Sequence, residues 1–142
     1  MLIRDCLQKA PVTVPPQCSL REAARLMSAH DVGAVIVMSG DRLVGIVTDR
    51  DIAVRGVGAG LAPTDPVGTV MTESPETIEG SADVFDAYRI LKDGKVRRLP
   101  VMEDEELAGM ITMDDLLMGL VLELAAVTSP VAREILYPRR LS

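Results

Sequence analysis

An internal repeat constrains the fold of this chain more than any other feature of its sequence. The segment GIVTDRD, Gly45 to Asp51, is echoed by GMITMDD, Gly109 to Asp115, with the glycine, the threonine and the final aspartate in matching positions 64 residues apart. The same shift of 64 residues aligns Ile3–Asp51 with Val67–Asp115 without a gap. Repetition at a fixed spacing indicates a repeated structural unit, so the chain is predicted to contain two copies of one small fold.

The first copy is predicted to form a strand, a helix, a hairpin and a second helix. Two prolines, Pro11 and Pro15, hold the residues between them in extended backbone. Ser19 and Glu22 form a capping box at the start of the helix. Two apolar runs separated by a polar turn then predict the hairpin. The buried face of the helix is predicted from helical spacing to consist of Leu20, Ala23, Ala24 and Met27.

The second copy repeats this plan and ends in a longer helix. Asp83 is predicted to cap its first helix, and paired strands follow at 99–102 and 107–111. The last helix, from about Asp114 to Val127, carries more apolar residues than one small copy can cover. A short helix through Leu136 and a loose basic tail are predicted to complete the chain. The buried face of the helix that Asp83 caps is predicted to consist of Val84, Ala87, Tyr88 and Leu91.

Charge and aromatic content limit the function. The net charge of −6 argues against a general nucleic-acid binder, because phosphate neutralisation needs a clustered positive surface. With one Phe, two Tyr and no Trp, the core must be aliphatic, and a flat ligand would lie between aliphatic side chains. The longest apolar run ends at Glu123, well short of a membrane span, and the first eight residues are too short and polar for a signal peptide.

Cysteine and catalytic patterns are equally informative. Cys6 and Cys18 have no companion cluster of Cys or His, so neither a metal site nor a disulfide framework is predicted, and a reducing cytoplasm fits best. The lone histidine, His30, is predicted to be an exposed residue at a helix end. No set of Ser, His and Asp and no pair of Cys and His is apparent, so the sequence predicts no catalytic residues.

Two strand-helix-hairpin-helix units, each with glycine, threonine and aspartate at the end of the hairpin, resemble a cystathionine-β-synthase (CBS) domain pair, the Bateman module. The stretch VMT at 70–72 and the run VRRLPV at 96–101 are similar to recurrent stretches of that family. The resemblance covers nearly the whole chain. It implies an α/β (α+β) fold of two βαββα repeats related by a pseudo-twofold axis, with an extended C-terminal helix. The predicted division is a first repeat with linker at 1–60, a second repeat at 61–127, and a short helix and tail at 128–142.

The resemblance also implies a function. Such modules are non-catalytic regulators that bind an adenosine-containing nucleotide in clefts between the two repeats and signal to a partner protein. The candidate ligands are AMP, ADP, ATP and S-adenosylmethionine, with or without magnesium. A homodimer is predicted because the last helix has a surplus apolar face and closed twofold dimers are the commonest soluble assembly. The sequence does not identify the regulated partner.

The chemistry of the repeated motif agrees with nucleotide binding. Asp51 and Asp115 can each accept two hydrogen bonds from the vicinal hydroxyls of a ribose. Thr48 and Thr112, with the free amides of the helix starts, can hold a phosphate oxygen. The remaining predicted ligand-binding residues are Arg50, Arg97 and Arg98 for phosphate, and Thr13, Val14, Gly33, Thr77, Ile78 and again Arg97 for adenine.

A ligand-free interpretation of the same residues stays open. Thr48, or Asp49 beside it, is predicted to cap a helix, Thr112 can do the same, and the aspartates can simply favour the helix dipole. The second motif also departs from the first, because Met113 and Asp114 stand where the first has Asp49 and a basic residue. The alternative function is therefore a ligand-free homodimeric protein-interaction scaffold with the same fold.

Overall fold

The computed structural model describes residues 1–7, 9–128 and 130–136. The strands within this part of the chain are β1 Thr13–Val14, β2 Ala34–Ser39, β3 Arg42–Thr48, β4 Thr72–Glu73, β5 Ile78–Glu79, β6 Arg98–Glu103 and β7 Glu106–Thr112. They form two sheets, one in the order β1-β2-β3-β4 and the other in the order β5-β6-β7. Each sheet holds the strands of one repeat, and the first gains β4 from the beginning of the second repeat.

The helices follow the predicted order. The α-helices are α1 Leu20–His30, α2 Asp49–Asp51, α3 Val84–Leu91, α4 Met113–Thr128 and α5 Pro130–Leu136. A π-helical turn, Ile52–Gly56, extends α2, and short 3₁₀ helices lie at Ile3–Cys6, Val57–Ala59 and Val67–Thr69. None of the described helices is long and apolar enough to cross a membrane. The predicted tail, 137–142, lies outside the described residues.

The two hairpins have the same register, which confirms the duplication. Strands β2 and β3 are antiparallel with a bulge after Val37, and β6 and β7 are antiparallel with a bulge after Val101, its repeat equivalent. Val37 pairs with Gly45 and Val101 pairs with Gly109. The strand before each helix pairs in parallel with the first hairpin strand, so each helix is a crossover connection. The α+β fold of two βαββα repeats about a pseudo-twofold axis is therefore confirmed.

The two repeats exchange their leading segments. Ile3 and Cys6, from the start of the first repeat, are buried in the core of the second, and Val67 and Val70 are buried in the core of the first. The backbone N–H of Ile3 donates to the carbonyl of Ala82 at 2.9 Å. The equivalent bond, from Val67 to the carbonyl of Cys18, is 2.8 Å long. Each core is thus completed by a segment that belongs, in sequence, to the other repeat.

Two glycines make this exchange possible. A Cβ on Gly45 would lie 2.5 Å from the sulfur of Met71, and a Cβ on Gly109 would lie 3.0 Å from Cδ2 of Leu7. Met71 and Leu7 follow the two exchanged segments and are repeat equivalents. The glycines of the repeated motif therefore let the leading segment of one repeat pass close to the hairpin of the other. The domain division at residues 60 and 127 stays a prediction, and it does not describe how the cores are shared.

Three predicted details were wrong. Ser19 accepts a hydrogen bond from the Glu22 amide at 3.1 Å, but the Glu22 carboxylate binds Arg25 at 2.7 Å and does not complete the capping box. Ala24 of α1 and Tyr88 of α3, its repeat equivalent, are exposed. The reason is the same in both helices: the apolar stripe turns toward Leu26 and Ile90, which pack against the cores. The strand β4 was not predicted.

Candidate functional site

The first copy of the repeated motif forms a reciprocal cap at the start of α2. The Asp51 amide donates to Oγ1 of Thr48 at 3.1 Å, and the Thr48 amide donates to Oδ2 of Asp51 at 2.9 Å. Thr48 is therefore the helix cap, rather than Asp49, the other predicted candidate. The capping role that the sequence left open as an alternative is real, and it uses one oxygen of the aspartate.

The second copy builds the same cap at the start of α4. The Thr112 amide donates to Oδ2 of Asp115 at 2.9 Å, and the Asp115 amide donates to Oγ1 of Thr112 at 3.3 Å. The Thr112 hydroxyl also lies 3.0 Å from Oδ2 of Asp115. In both motifs the other carboxylate oxygen, Oδ1, is not needed for the cap.

The two aspartates differ at Oδ1. In the first motif, Arg55 donates from Nη2 to Oδ1 of Asp51 at 2.9 Å. The repeat equivalent of Arg55 is Gly119, which has no side chain to offer. Among the residues that the structure describes, no cation pairs with Asp115. The second motif therefore presents the more open carboxylate.

Cleft 1 has a volume of about 490 Å³ and lies where the first motif faces the second repeat. The first repeat contributes Ile46 and the motif residues 48–51. The facing side consists of Thr72, Pro75, Glu76 and the segment 95–98 that leads into β6. Residues from two repeats thus meet in one hollow.

Cleft 2 is smaller, about 270 Å³, and the two repeats exchange their roles in it. The second repeat contributes Met110, Thr112 and Asp115, and the first contributes residues 9–12 and 31–34. Arg98 lines this cleft as well. Moving by 64 residues converts most of the lining of one cleft into that of the other, for example Pro11 into Pro75 and Val32 into Val96. The clefts are therefore a pseudo-symmetric pair.

Charge distinguishes the two clefts. Cleft 1 is lined by four basic residues, Arg50, Lys95, Arg97 and Arg98, and by three acidic ones, Asp49, Asp51 and Glu76. Cleft 2 is lined by two basic residues, Lys9 and Arg98, and by two acidic ones, Asp31 and Asp115. Guanidinium groups form paired charge-assisted hydrogen bonds with phosphate, so cleft 1 offers more phosphate partners.

Eight of the twelve predicted ligand-binding residues line the clefts. They are Thr48, Arg50, Asp51, Arg97 and Arg98 in cleft 1, and Gly33, Arg98, Thr112 and Asp115 in cleft 2. In cleft 1 the motif of the first repeat meets Arg97 and Arg98 of the second repeat. In cleft 2 the motif of the second repeat meets Gly33 of the first repeat. The linear sequence does not show this arrangement.

The other four predicted residues lie outside the lining of both clefts. Val14 and Ile78 are buried in the two cores, 4% and 8% exposed. Thr13 and Thr77, which precede them, are exposed. The clefts are lined instead by residues just upstream, Pro11 and Val12 in cleft 2, and Pro75 and Glu76 in cleft 1. The matching prolines at 11 and 75 were the signal in the sequence.

Neither of the two cysteines lines cleft 1 or cleft 2. Burial raises the pKa of Cys6 above its usual value and Asp5 adds to the effect, while burial and then Glu22 raise the pKa of Cys18. Both groups therefore stay protonated at neutral pH, which makes them poor nucleophiles. Within the described part of the chain, no three His, Cys, Asp or Glu side chains are grouped so that they could hold a metal ion.

Comparisons with known proteins agree with this architecture. The family model for the CBS domain matches the chain twice, at residues 3–57 and 67–122. The chain therefore belongs to the CBS domain family, and its two repeats are a tandem pair of such domains. It is 35% identical over 116 residues to the CBS domain-containing protein YhcV of Bacillus subtilis (strain 168), an alignment that covers 80% of this chain and 81% of the relative.

Two solved structures are similar in fold. Hypoxic Response Protein I, solved with two coordinated zinc ions, superposes with a TM-score of 0.74 at 30% identity, covering 83% of this chain and 98% of that one. The CBS domain protein PAE2072 from Pyrobaculum aerophilum, complexed with AMP, superposes with a TM-score of 0.77 at 25% identity. That match covers 88% of this chain and 98% of the other.

Proposed function

We propose that this protein is a non-catalytic regulatory module that binds an adenosine-containing nucleotide in cleft 1 and cleft 2. The observation that carries the proposal is the pair of clefts, each of which joins a capped threonine and aspartate from one repeat to the segment before the hairpin of the other. The complex of PAE2072 with AMP supports an adenine nucleotide as the ligand. AMP, ADP, ATP and S-adenosylmethionine, with or without magnesium, are the compounds to test.

Each part of a nucleotide has a partner in this arrangement. The caps use Oδ2 of both aspartates, which leaves Oδ1 of Asp115 available for ribose hydroxyls. Oδ1 of Asp51 already accepts a bond from Arg55, so a ribose hydroxyl in cleft 1 would share or replace that bond. The arginines that line cleft 1 suit phosphate. Adenine fits beside the backbone and apolar side chains around Pro11 and Val32 in cleft 2, and around the equivalent Pro75 and Val96 in cleft 1.

Cleft size favours cleft 1 for the larger ligands. Small-molecule sites usually measure roughly 300 to 1,000 Å³. Cleft 1, at about 490 Å³, lies inside this range, whereas cleft 2, at about 270 Å³, lies just below it. ADP and ATP should therefore prefer cleft 1, and cleft 2 should accept AMP or adenosine.

Calorimetry tests the proposal directly. The purified protein is titrated with adenosine, AMP, ADP, ATP and S-adenosylmethionine, each with and without magnesium, after release of any nucleotide carried through purification. Saturable binding of at least one of these compounds supports the proposal. If none binds at millimolar concentration and the purified protein carries no nucleotide, the ligand-free interaction scaffold replaces it.

No metal site is proposed. Hypoxic Response Protein I was solved with two coordinated zinc ions, which is a property of that protein. Among the side chains that the structure describes, no three or more His, Cys, Asp or Glu residues are grouped so that they could hold a metal ion. The two free thiols, Cys6 and Cys18, are compatible with the proposed location in a reducing cytoplasm.

We also propose that the protein forms a homodimer through α4 and α5. Leu117, Val121 and Val127 of α4 are 51%, 59% and 73% exposed, and Val131 and Ile135 of α5 are 66% and 74% exposed. Contiguous exposed apolar residues of this kind mark interaction surfaces. A second copy of the chain can cover this surface with the same surface of its own, as a twofold interface requires.

Light scattering tests the dimer. The variant Val121→Asp should be monomeric and should keep its melting temperature within a few degrees, because Val121 is largely exposed in the single chain. Leu120 is a poorer choice for this purpose, since it packs against the core of the second repeat. A parent protein that is monomeric at micromolar concentration contradicts the proposed dimer but not the proposed nucleotide binding.

A further inference from the structure

Arg98 lies where the two clefts meet. It begins β6, is half-buried, and lines both cleft 1 and cleft 2. A Cβ added to Gly33, in cleft 2, would lie 3.2 Å from Nη2 of Arg98. The same point lies 3.3 Å from Oδ2 of Asp49, which lines cleft 1. The guanidinium of Arg98 and the carboxylate of Asp49 therefore approach each other over the bare backbone of Gly33.

The Arg98 guanidinium has no partner in the described part of the chain. Other arginines, namely Arg4, Arg25, Arg55 and Arg89, each pair with a carboxylate. Arg98 takes part in none of the ion pairs found among the described residues, and Asp49 is not close enough to form one with it. A half-buried cation without a counterion is well placed to bind an anion that enters from outside.

Only one of the two equivalent positions carries this cation. The repeat equivalent of Arg98 is Ala34, so no second guanidinium mirrors it across the pseudo-twofold axis. Cleft 1 has three other basic residues, whereas cleft 2 has only Lys9 besides Arg98 among its lining residues. One side chain must therefore serve two clefts, and cleft 2 depends on it more.

We infer that Arg98 couples the two clefts, so that a phosphate-bearing ligand in one weakens the binding of a phosphate-bearing ligand in the other. The inference rests on the proposed nucleotide binding. When a phosphate in cleft 2 holds the guanidinium near Gly33, cleft 1 loses one of its cations. The Asp49 carboxylate is then left to repel an anion in cleft 1. A ligand without phosphate does not engage Arg98, so adenosine should bind the two clefts independently.

Calorimetry with single-cleft variants measures the coupling. Asp115→Ala leaves cleft 1 as the ribose site and gives its affinity alone, and Asp51→Ala does the same for cleft 2. The coupling factor is the overall association constant for binding two AMP molecules to the parent, divided by the product of the two single-cleft association constants. A factor below one means that the two binding events weaken each other. Where an alanine variant does not fold, asparagine replaces it, because its amide oxygen can still accept the capping bond.

For AMP we expect the coupling to weaken the second binding event by roughly 5- to 50-fold, within the range typical of allosteric coupling. For adenosine the factor should be close to one. Arg98→Ala, introduced into the parent and into both single-cleft variants, should bring the factor for AMP close to one as well. Arg97→Ala is the matched control: it removes a cation that lines cleft 1 but not cleft 2, so affinity in cleft 1 should fall while the coupling remains.

The outcomes separate the two proposals. AMP binding at both clefts without coupling, or at one cleft only, overturns the role of Arg98 while nucleotide binding stands. Coupling that persists or grows in Arg98→Ala also overturns it, because the cause would then be direct repulsion between the two phosphates. A parent that binds neither adenosine nor AMP contradicts the proposed function itself, and the coupling with it.

Discussion

Cleft 1 and cleft 2 are built from the same backbone elements, yet their side chains have diverged. In both, a threonine and an aspartate form a reciprocal helix cap, and a proline and a valine from the other repeat line the opposite side. Cleft 1 is larger and richer in basic residues, and its aspartate is paired with Arg55. The caps, which stabilise the helix starts, are thus shared, whereas the charges around them are not.

The largest expected effect concerns the shared cores. A fragment of residues 1–60 should not fold, because it lacks Val67 and Val70, which are 0% and 1% exposed in the core of the first repeat. Circular dichroism of the fragment should show no cooperative melting, and adding a fragment of residues 61–142 should restore it. A soluble, cooperatively melting monomer of residues 1–60 would show that the repeats are independent.

The next effect tests one exchanged side chain. Ile3 is fully buried in the core of the second repeat, so Ile3→Ala should lower the free energy of unfolding by roughly 2 to 5 kcal/mol. Leu2→Ala is the control, since Leu2 is 38% exposed and should cost well below 2 kcal/mol. Urea denaturation measures both. Equal losses would mean that the leading segment is not part of the core.

A third experiment separates the cap from the ligand contact. Asp51→Ala should lose the cap and weaken adenosine binding in cleft 1 by about ten- to a hundredfold, the value of a hydrogen bond of roughly 1.5 to 3 kcal/mol to a charged group. Thr48→Ala should also lose the cap, roughly 0.5 to 2 kcal/mol of stability, but spare adenosine. The pair Asp115→Ala and Thr112→Ala should repeat this in cleft 2.

Calorimetry measures the adenosine affinity of these variants, and thermal melting measures their stability. Equal adenosine affinity in Asp51→Ala and in the parent, with reduced stability, would restrict the aspartate to its structural role. The same result in Asp115→Ala would favour the scaffold over the nucleotide sensor.

The smallest effect comes from making the motifs alike. Arg55→Gly gives the first motif the residue of the second and frees Oδ1 of Asp51. The arginine side of this ion pair is largely exposed, so losing the pair should lower the free energy of unfolding by only about 0.5 kcal/mol. Placing glycine in a helix should lower it by roughly 1 kcal/mol more. Arg55→Ala controls for the helix effect. Adenosine affinity in cleft 1 should rise about twofold in both variants, and an unchanged affinity would show that Arg55 does not compete with ribose.

The repeat made most of the fold predictable. A gap-free register of 64 residues transferred most elements from one copy to the other, and the hairpins, the helix caps at Thr48, Asp83 and Thr112 and the last helix were confirmed. The motif residues Thr48, Asp51, Thr112 and Asp115 were found in the clefts for the same reason. Local patterns are sufficient where the determinant is a cap, a turn or the spacing of apolar residues.

What the sequence could not show was which segments meet across the chain. Nothing near Ile3 indicates that its amide will bond to Ala82, because the contact depends on how the two sheets pack. The sequence also could not show that the side chains of Val14 and Ile78, two of the predicted ligand-binding residues, lie outside the lining of the clefts. Both were placed on the correct strands, but the pleat turns them into the cores and leaves the upstream prolines at the clefts. Charge at Glu22 similarly favoured a neighbouring arginine over the predicted cap.

The exchange of leading segments also sets an order of events during synthesis. A ribosome releases the chain from its N-terminus, yet the core of the first repeat stays incomplete until Val67 and Val70 have emerged. The residues around Ile3 must wait still longer, because their partners in the second core reach as far as Leu116. The nascent chain therefore cannot finish the first repeat before beginning the second, and the first repeat should become resistant to protease at a shorter chain length than the second.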